Sequence, residues 1–276
     1  MKCRPPSLFW RVPAPWATVA AMSSRPTGAG ADASGTDFGF RRVPAAEKAS
    51  LVRDVFDSVA PRYDLMNDLM SLGVHRLWKD AFVDWLAPRP GMAVLDVGGG
   101  TGDIAFRVMR RGAGPVTVCD INQAMLDVGR DRAVDQGILD GITWITGDAE
   151  DLPVEDASVD ALTIAFCIRN VTHVDRALAE ARRVLRPGGR FLCLEFSRIA
   201  VPALESLYDA YSLRLLPTIG RVVARDADAY RYLAESIRRF PDQEAFAAMI
   251  ADAGLDQVRH RNLSGGIAAI HSAWRT

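Results

Sequence analysis

Neither sign of charge is in excess in this chain: 33 Lys and Arg face 34 Asp and Glu over 276 residues, a net charge of −1. A chain so balanced has no global field with which to hold nucleic acid or an anionic membrane, so any such contact must be local. Cysteine is scarce as well. Cys3, Cys119, Cys167 and Cys193 form no Cys-x-x-Cys pair and have no His at metal-ligand spacing, which excludes a zinc ribbon or a disulfide framework. Reduced, buried thiols and no metal site are the expectation, in a cytosol-like compartment. Long apolar runs are also missing, since none approaches the roughly 20 residues a membrane-spanning helix requires.

Acids are absent before Asp32, where the chain is instead rich in Pro, Ala, Ser and Gly with Lys2, Arg4, Arg11 and Arg25. Residues 1–40 therefore read as a disordered or leader segment. An Arg-bearing leader suits mitochondrial import, but Pro5, Pro6, Pro13 and Pro15 spoil an amphipathic helix, and a start at Met22 is the competing reading. Residues 41–276 carry enough apolar sequence for one large domain, the whole chain being 49% hydrophobic and 24% charged.

Within that domain the pattern is helical from Glu47 to about Leu86, closed by Pro88, Pro90 and Gly91. Five short apolar runs follow, AVLDVGGG, PVTVCD, GITWITGD, DALTIAF and RFLCLEF, separated by helical or turn segments. Strand alternating with helix predicts a parallel sheet covered on both faces, an α/β Rossmann-like fold. Residues 201–253 read as a helical insert. DQVRHRNL and GIAAIHSAW, joined at Ser264-Gly265-Gly266, predict a hairpin that brings an antiparallel strand to the sheet edge.

The first run ends in Asp96-Val97-Gly98-Gly99-Gly100-Thr101-Gly102, and glycines at a strand end let a ligand touch backbone that a Cβ would obstruct. A dinucleotide fingerprint would need a third glycine at 103, which is Asp, and no Lys-Ser or Lys-Thr follows for a triphosphate loop. Asp-x-Gly-x-Gly-x-Gly resembles the first motif of S-adenosylmethionine-dependent methyltransferases, which makes Asp96, Gly98, Gly100 and Thr101 candidate cofactor contacts. Asp120, ending the second run, is either a ribose-binding acid or a helix cap. Asp148, with Ala149 beside it, is either an adenine contact or an Asx turn. All these positions fall at the carboxyl ends of strands, where open sheets bind ligands.

The fourth run ends in Ala165-Phe166-Cys167-Ile168-Arg169-Asn170. This is not Asn/Asp-Pro-Pro-Tyr/Phe, which disfavours amino-group methylation. Cys167 has no evident partner to lower its pKa and reads as core. Arg169, at the end of a buried strand, needs either a carboxylate or a developing anion beside it.

YDLMNDLMSLGVHRLW (63–78), RVLRPGGRFLCLEFS (183–197) and DADAYRYLAESIRRFPDQ (226–243) resemble the signatures of the ubiquinone/menaquinone biosynthesis C-methyltransferases, from about residue 38 to the end. Two departures stand out: Arg186 replaces a Lys before Pro-Gly-Gly, and AFCIRN replaces SFGIRN, so Ala165 lacks a hydroxyl that the family can offer its cofactor.

The resemblance implies a class I methyltransferase with a seven-stranded sheet and a helical N-terminal cap. It further implies S-adenosyl-L-methionine as co-substrate and a ring carbon of a polyprenylated benzoquinol or demethylmenaquinol as acceptor. Tyr63, Asn67 and Arg169 become candidate substrate contacts, Arg169 also a candidate catalytic group that stabilises the phenolate, and His75, which titrates near neutrality, a candidate base. The bland alternative for His75 is a solvated helix face. The polyprenyl tail points to peripheral contact with the inner membrane or a quinone-biosynthesis complex, and the insert is also a place for homodimerisation. Other phenolic or sterol-like acceptors, or a cofactor-binding subunit without turnover, are the competing readings.

Overall fold

The structure, a computed structural model, describes residues 35–59, 68, 71, 73–199 and 227–276. Tyr63, Asn67 and the insert up to residue 226 fall outside these.

The described chain opens with a hairpin, β1 (Gly35–Phe38) and β2 (Arg41–Pro44), and a helix, α1 (Ala45–Val59). β1 lies within the segment whose composition reads as leader. It is held by tertiary packing, because Phe38 is buried and stacks on Tyr232 with ring centroids 4.2 Å apart. After Gly73, at φ +81°, α2 (His75–Leu86) buries Trp78, Phe82, Val83 and Leu86 along one side.

Alternation then begins: β3 (Pro90–Val97), α3 (Asp103–Arg110), β4 (Gly114–Asp120), α4 (Gln123–Asp135), β5 (Ile142–Thr146), β6 (Val159–Ala165), a 3₁₀ turn (Ile168–Asn170), α5 (Val174–Val184) and β7 (Leu185–Phe196). α6 (Ala227–Arg239), α7 (Gln243–Asp252), β8 (Asp256–Leu263) and β9 (Ala268–Trp274) complete the chain.

The seven-stranded sheet has the order β5-β4-β3-β6-β7-β9-β8. β3 through β7 pair in parallel, and β9 runs antiparallel between β7 and the edge strand β8. Both faces are dry. Val94 joins one core cluster while Leu95 and Val97 join the other, as successive residues of a strand covered on two sides must. From β3 the chain winds outward to β4 and β5, then returns to β6 on the other side of β3. That reversal splays the loops after β3 and β6 apart and opens a crevice at the carboxyl ends of the strands.

Candidate active site

A cleft occupies this crevice. Its floor is Asp96 and the Gly98–Thr101 loop, with Asp120 at one side and Asp148, Ala149 and Glu150 beyond; Ala165–Cys167 and Asn170–Thr172 form the opposite wall. Ala49, Val52 and Arg53 of α1 and Lys79 of α2 cover it. Lys48 pins α1 in place by donating from Nζ to the Val171 carbonyl at 2.9 Å.

The glycine loop is shaped by its neighbours. The Gly98 and Gly99 N–H groups donate to the Cys119 carbonyl at 2.7 and 3.3 Å, and the Gly100 N–H donates to Asp120 Oδ2 at 2.9 Å. Gly98 adopts φ +62°, and a side chain there would run into Sγ of Cys167. The Cys167 that replaces the more usual glycine thus packs on the loop, and burial raises its thiol pKa. Thr101 is buried, its Oγ1 accepting from Arg132 Nη1 at 2.9 Å.

Asp96 Oδ1 accepts from Thr163 Oγ1 at 2.8 Å, whereas Oδ2 is buried with no hydrogen-bond partner. Burial pushes this carboxyl up to about 7. Asp120 accepts from the Gly100 and Asn122 N–H groups at 2.9 and 2.8 Å, and burial raises it to about 6 against the pull of those bonds. Asp120 does not cap the following helix; Asn122 does, accepting from the Met125 N–H. Asp148 accepts from the Glu150 N–H at 2.9 Å, an Asx turn that still leaves it on the cleft wall.

Arg169 and His75 do not border this cleft as described. The Arg169 guanidinium is buried against Glu195, Nη1 to Oε1 2.7 Å, and donates again to the Phe166 carbonyl at 2.8 Å. The charge that the sequence requires beside Arg169 is therefore a carboxylate of β7, and burial raises the pKa of Glu195 against the pull of Arg169. His75 is buried, with Nε2 2.9 Å from Asp68 Oδ1 and Nδ1 without a partner. Burial, reinforced by Lys79, lowers its pKa, which keeps the ring neutral.

Two wall residues carry chemistry that sequence reasoning passed over. Lys79 stands one helical turn beyond His75, and its Nζ donates to Asp103 Oδ2 at 2.7 Å. A lysine embedded in the apolar rhythm of HRLWKDAF was the available signal. Asn170 receives the Tyr232 hydroxyl on Oδ1 at 3.0 Å and leaves Nδ2 buried and unpaired; no local pattern announces it, because Tyr232 lies 62 residues away. Among the described residues no group of three or more His, Cys, Asp or Glu is arranged to hold a metal.

A doubly wound sheet with a glycine loop, an orphaned acid at its base and a second acid on the neighbouring strand defines a class I S-adenosylmethionine-dependent methyltransferase. Of solved structures, a SAM-dependent methyltransferase from Thermotoga maritima shares the fold with a TM-score of 0.59 at 19% identity, over 81% of this chain and 99% of that one.

The ubiE/COQ5 methyltransferase family model matches residues 43–275, and the chain belongs to that family. It is 58% identical to the ubiquinone/menaquinone biosynthesis C-methyltransferase UbiE of Brucella abortus (strain S19), over 86% of this chain and 90% of the relative. The protein of the same name from Acidiphilium cryptum (strain JF-5) is 60% identical, over 87% of this chain and 96% of that one.

Proposed function

We propose that this chain transfers a methyl group from S-adenosylmethionine to a ring carbon of a polyprenylated benzoquinol or of demethylmenaquinol, with residues 41–276 as the catalytic domain. The observation that carries this reading is identity near 60% to C-methyltransferases of ubiquinone and menaquinone biosynthesis over most of both chains.

The cofactor fits the groups present. The buried Asp96 Oδ2 lacks a partner, the loop at Gly98–Gly100 leaves room where side chains would intrude, and Asp120 presents acceptors at the end of β4. We assign Asp96, Gly98, Gly100, Thr101, Asp120, Asp148 and Ala149 to that ligand. When bound, it supplies an electrophilic methyl on a sulfonium.

What the protein must add is a nucleophilic ring carbon and a destination for a proton. A neutral phenol titrates near the roughly 10 of tyrosine and is a poor carbon nucleophile. The apolar wall of Ala165, Phe166 and Val171 excludes water from the ring, and Tyr63 and Asn67 are proposed contacts on the capping segment. Arg169 positions the wall: its bonds to Glu195 and to the Phe166 carbonyl hold Phe166 at φ +55°, a conformation that a non-glycine residue rarely adopts.

For the proton we propose His75. Its Nε2–H directed at Asp68 leaves Nδ1 as the basic nitrogen, and the depressed pKa keeps it unprotonated at neutral pH. No described helix is long and apolar enough to cross a membrane. We further propose peripheral membrane contact, in a bacterial cytoplasm or a mitochondrial matrix, and self-association through the insert.

Incubating the purified protein with methyl-labelled S-adenosylmethionine and a quinol extract tests the reaction. Label in the lipid fraction supports it, whereas cofactor binding without transfer points to a non-catalytic subunit.

A further inference from the structure

We propose that Glu150 and Lys48 are positioning residues for the acceptor wall: between them they fix the strap of residues 171–173, Glu150 tying it to the loop after β5 and Lys48 tying it to α1. This rests on the methyl transfer proposed above and deepens it, since it says how the wall facing the quinol ring is held beside the cofactor.

The strap joins the 3₁₀ turn to α5 and belongs to no strand, so its backbone groups need partners from elsewhere in the fold. The local sequence does not supply them. A helix that begins at Val174 calls for Ser, Thr, Asp or Asn just before it, and this chain has His173, which makes no side-chain capping bond. Glu150, 23 residues upstream of His173, takes that place. Its Oε1 accepts from both the Thr172 and the His173 N–H groups at 3.0 and 2.9 Å, and its Oε2 lies 2.7 Å from His173 Nδ1. A carboxylate at the start of α5 also meets the positive end of the helix dipole.

On its other side the strap is held through the Val171 carbonyl, which accepts from Lys48 Nζ at 2.9 Å. Lys48 is buried, and burial lowers its pKa while Asp37 and Glu150 act in the opposite direction. The two anchors therefore feel each other's charge across the strap.

Glu150 can serve as an anchor because its loop is fixed a second time, near the far end of α5. Arg183 donates to the Leu152 and Val154 carbonyls at 2.9 and 2.8 Å, and Glu180 accepts from the Leu152 N–H at 2.8 Å. Losing the Glu150 carboxylate thus frees the strap while the loop that carries Asp148 and Ala149 stays clamped. Val171 and Thr172 border the cleft beside Ala165 and Phe166, so a freed strap loosens the wall that orients the acceptor ring.

Three measurements on the full chain separate positioning from a general structural role: methyl transfer against the concentration of a short-chain prenylated benzoquinol or demethylmenaquinol, calorimetry with the demethylated product S-adenosylhomocysteine, and amide hydrogen exchange. For Glu150→Ala the expected result is a kcat/KM for the acceptor lower by about 10- to 100-fold, with S-adenosylhomocysteine affinity changed less than about threefold. The Thr172 and His173 amides exchange at least about tenfold faster, while those of β6 keep their protection. Glu150→Gln, whose amide oxygen still accepts from both N–H groups, restores most of the acceptor efficiency. Lys48→Met, which keeps the buried stem but releases the Val171 carbonyl, shows the same split as Glu150→Ala.

Equal losses of acceptor efficiency and cofactor affinity in Glu150→Ala, a freely exchanging strap with unchanged methyl transfer, or a Glu150→Gln variant as impaired as Glu150→Ala each overturn the assignment. Should Glu150→Ala not fold, Glu150→Gln and Lys48→Met carry the decision. Failure of the unaltered protein to methylate either quinol would instead overturn the proposed function, and the exchange of the strap amides would still report whether Glu150 holds them.

Discussion

Gly98 and Cys167, 69 residues apart in sequence, are in van der Waals contact across the cleft, the thiol filling the space that a side chain on the glycine would need. The loop after β3 and the loop after β6 therefore share one volume, and neither can change alone. Gly98→Ala is expected to weaken S-adenosylhomocysteine binding by at least about tenfold, from the clash and from about 1–2 kcal/mol of left-handed backbone strain. Adding Cys167→Gly removes the clash but not the strain. Partial recovery in the double variant, read by calorimetry, is the signature of that contact.

Asp96 makes the ligand-free protein less stable as pH rises. Its folded pKa of about 7 lies above the unfolded value of 3.8, so the folded state holds the proton more tightly. The resulting stability is fully present below about pH 4 and is lost as pH climbs through 7. Asp96→Asn should raise denaturant stability at pH 8 by about 1–4 kcal/mol while weakening cofactor binding. A variant less stable than its parent at pH 8 would contradict the burial argument.

The same carboxyl gives cofactor binding a pH dependence. If the proposed cofactor contacts hold, a cationic group of the ligand pairs with ionised Asp96, and Asp120, near 6 in the free protein, accepts from hydroxyls more strongly when ionised than when protonated. S-adenosylhomocysteine affinity should rise from pH 5 to pH 8, steepest between 6 and 7. Binding near pH 6.5 should release protons, detectable as heats that differ between buffers of unlike ionisation enthalpy. A flat profile would separate the ligand from both acids.

Breaking the Arg169–Glu195 pair leaves one buried charge without its partner, a cost of about 3–5 kcal/mol. Arg169→Ala and Glu195→Ala should each lose about that much in chemical denaturation, and the double variant less than the sum. If Arg169 works by positioning, Glu195→Gln lowers methyl transfer along with it, because both alter the wall. Full activity in Glu195→Gln with none in Arg169→Lys would argue for direct contact between Arg169 and the acceptor.

His75→Gln should lower the methyl-transfer rate by about 10²–10⁴ if Nδ1 takes the proton, with cofactor affinity preserved. The acid limb of the unaltered enzyme's pH–rate profile should fall below 6.5, following the lowered imidazole pKa. An unchanged rate in His75→Gln returns the histidine to a purely structural role with Asp68.

What the chain declares locally is the part built from short-range pattern. Apolar runs alternating with helical segments dictate a parallel sheet, and the spacing of Asp96, Gly98 and Gly100 marks the ligand end of β3, because strand period and glycine conformation act over a few residues. The partners of charged side chains were not legible in this way. Arg169 meets Glu195 across 26 residues, Asn170 meets Tyr232 across 62, and Lys79 meets Asp103 across 24, and the sequence left open whether Arg169 faced an ion pair or a reacting anion. Only packing decides such questions, since a buried charge is paired by whichever element folds over it. The hairpin at Gly35–Pro44 follows the same rule: its composition is that of a leader, and it is a strand pair because Tyr232 offers Phe38 a surface on which to be buried.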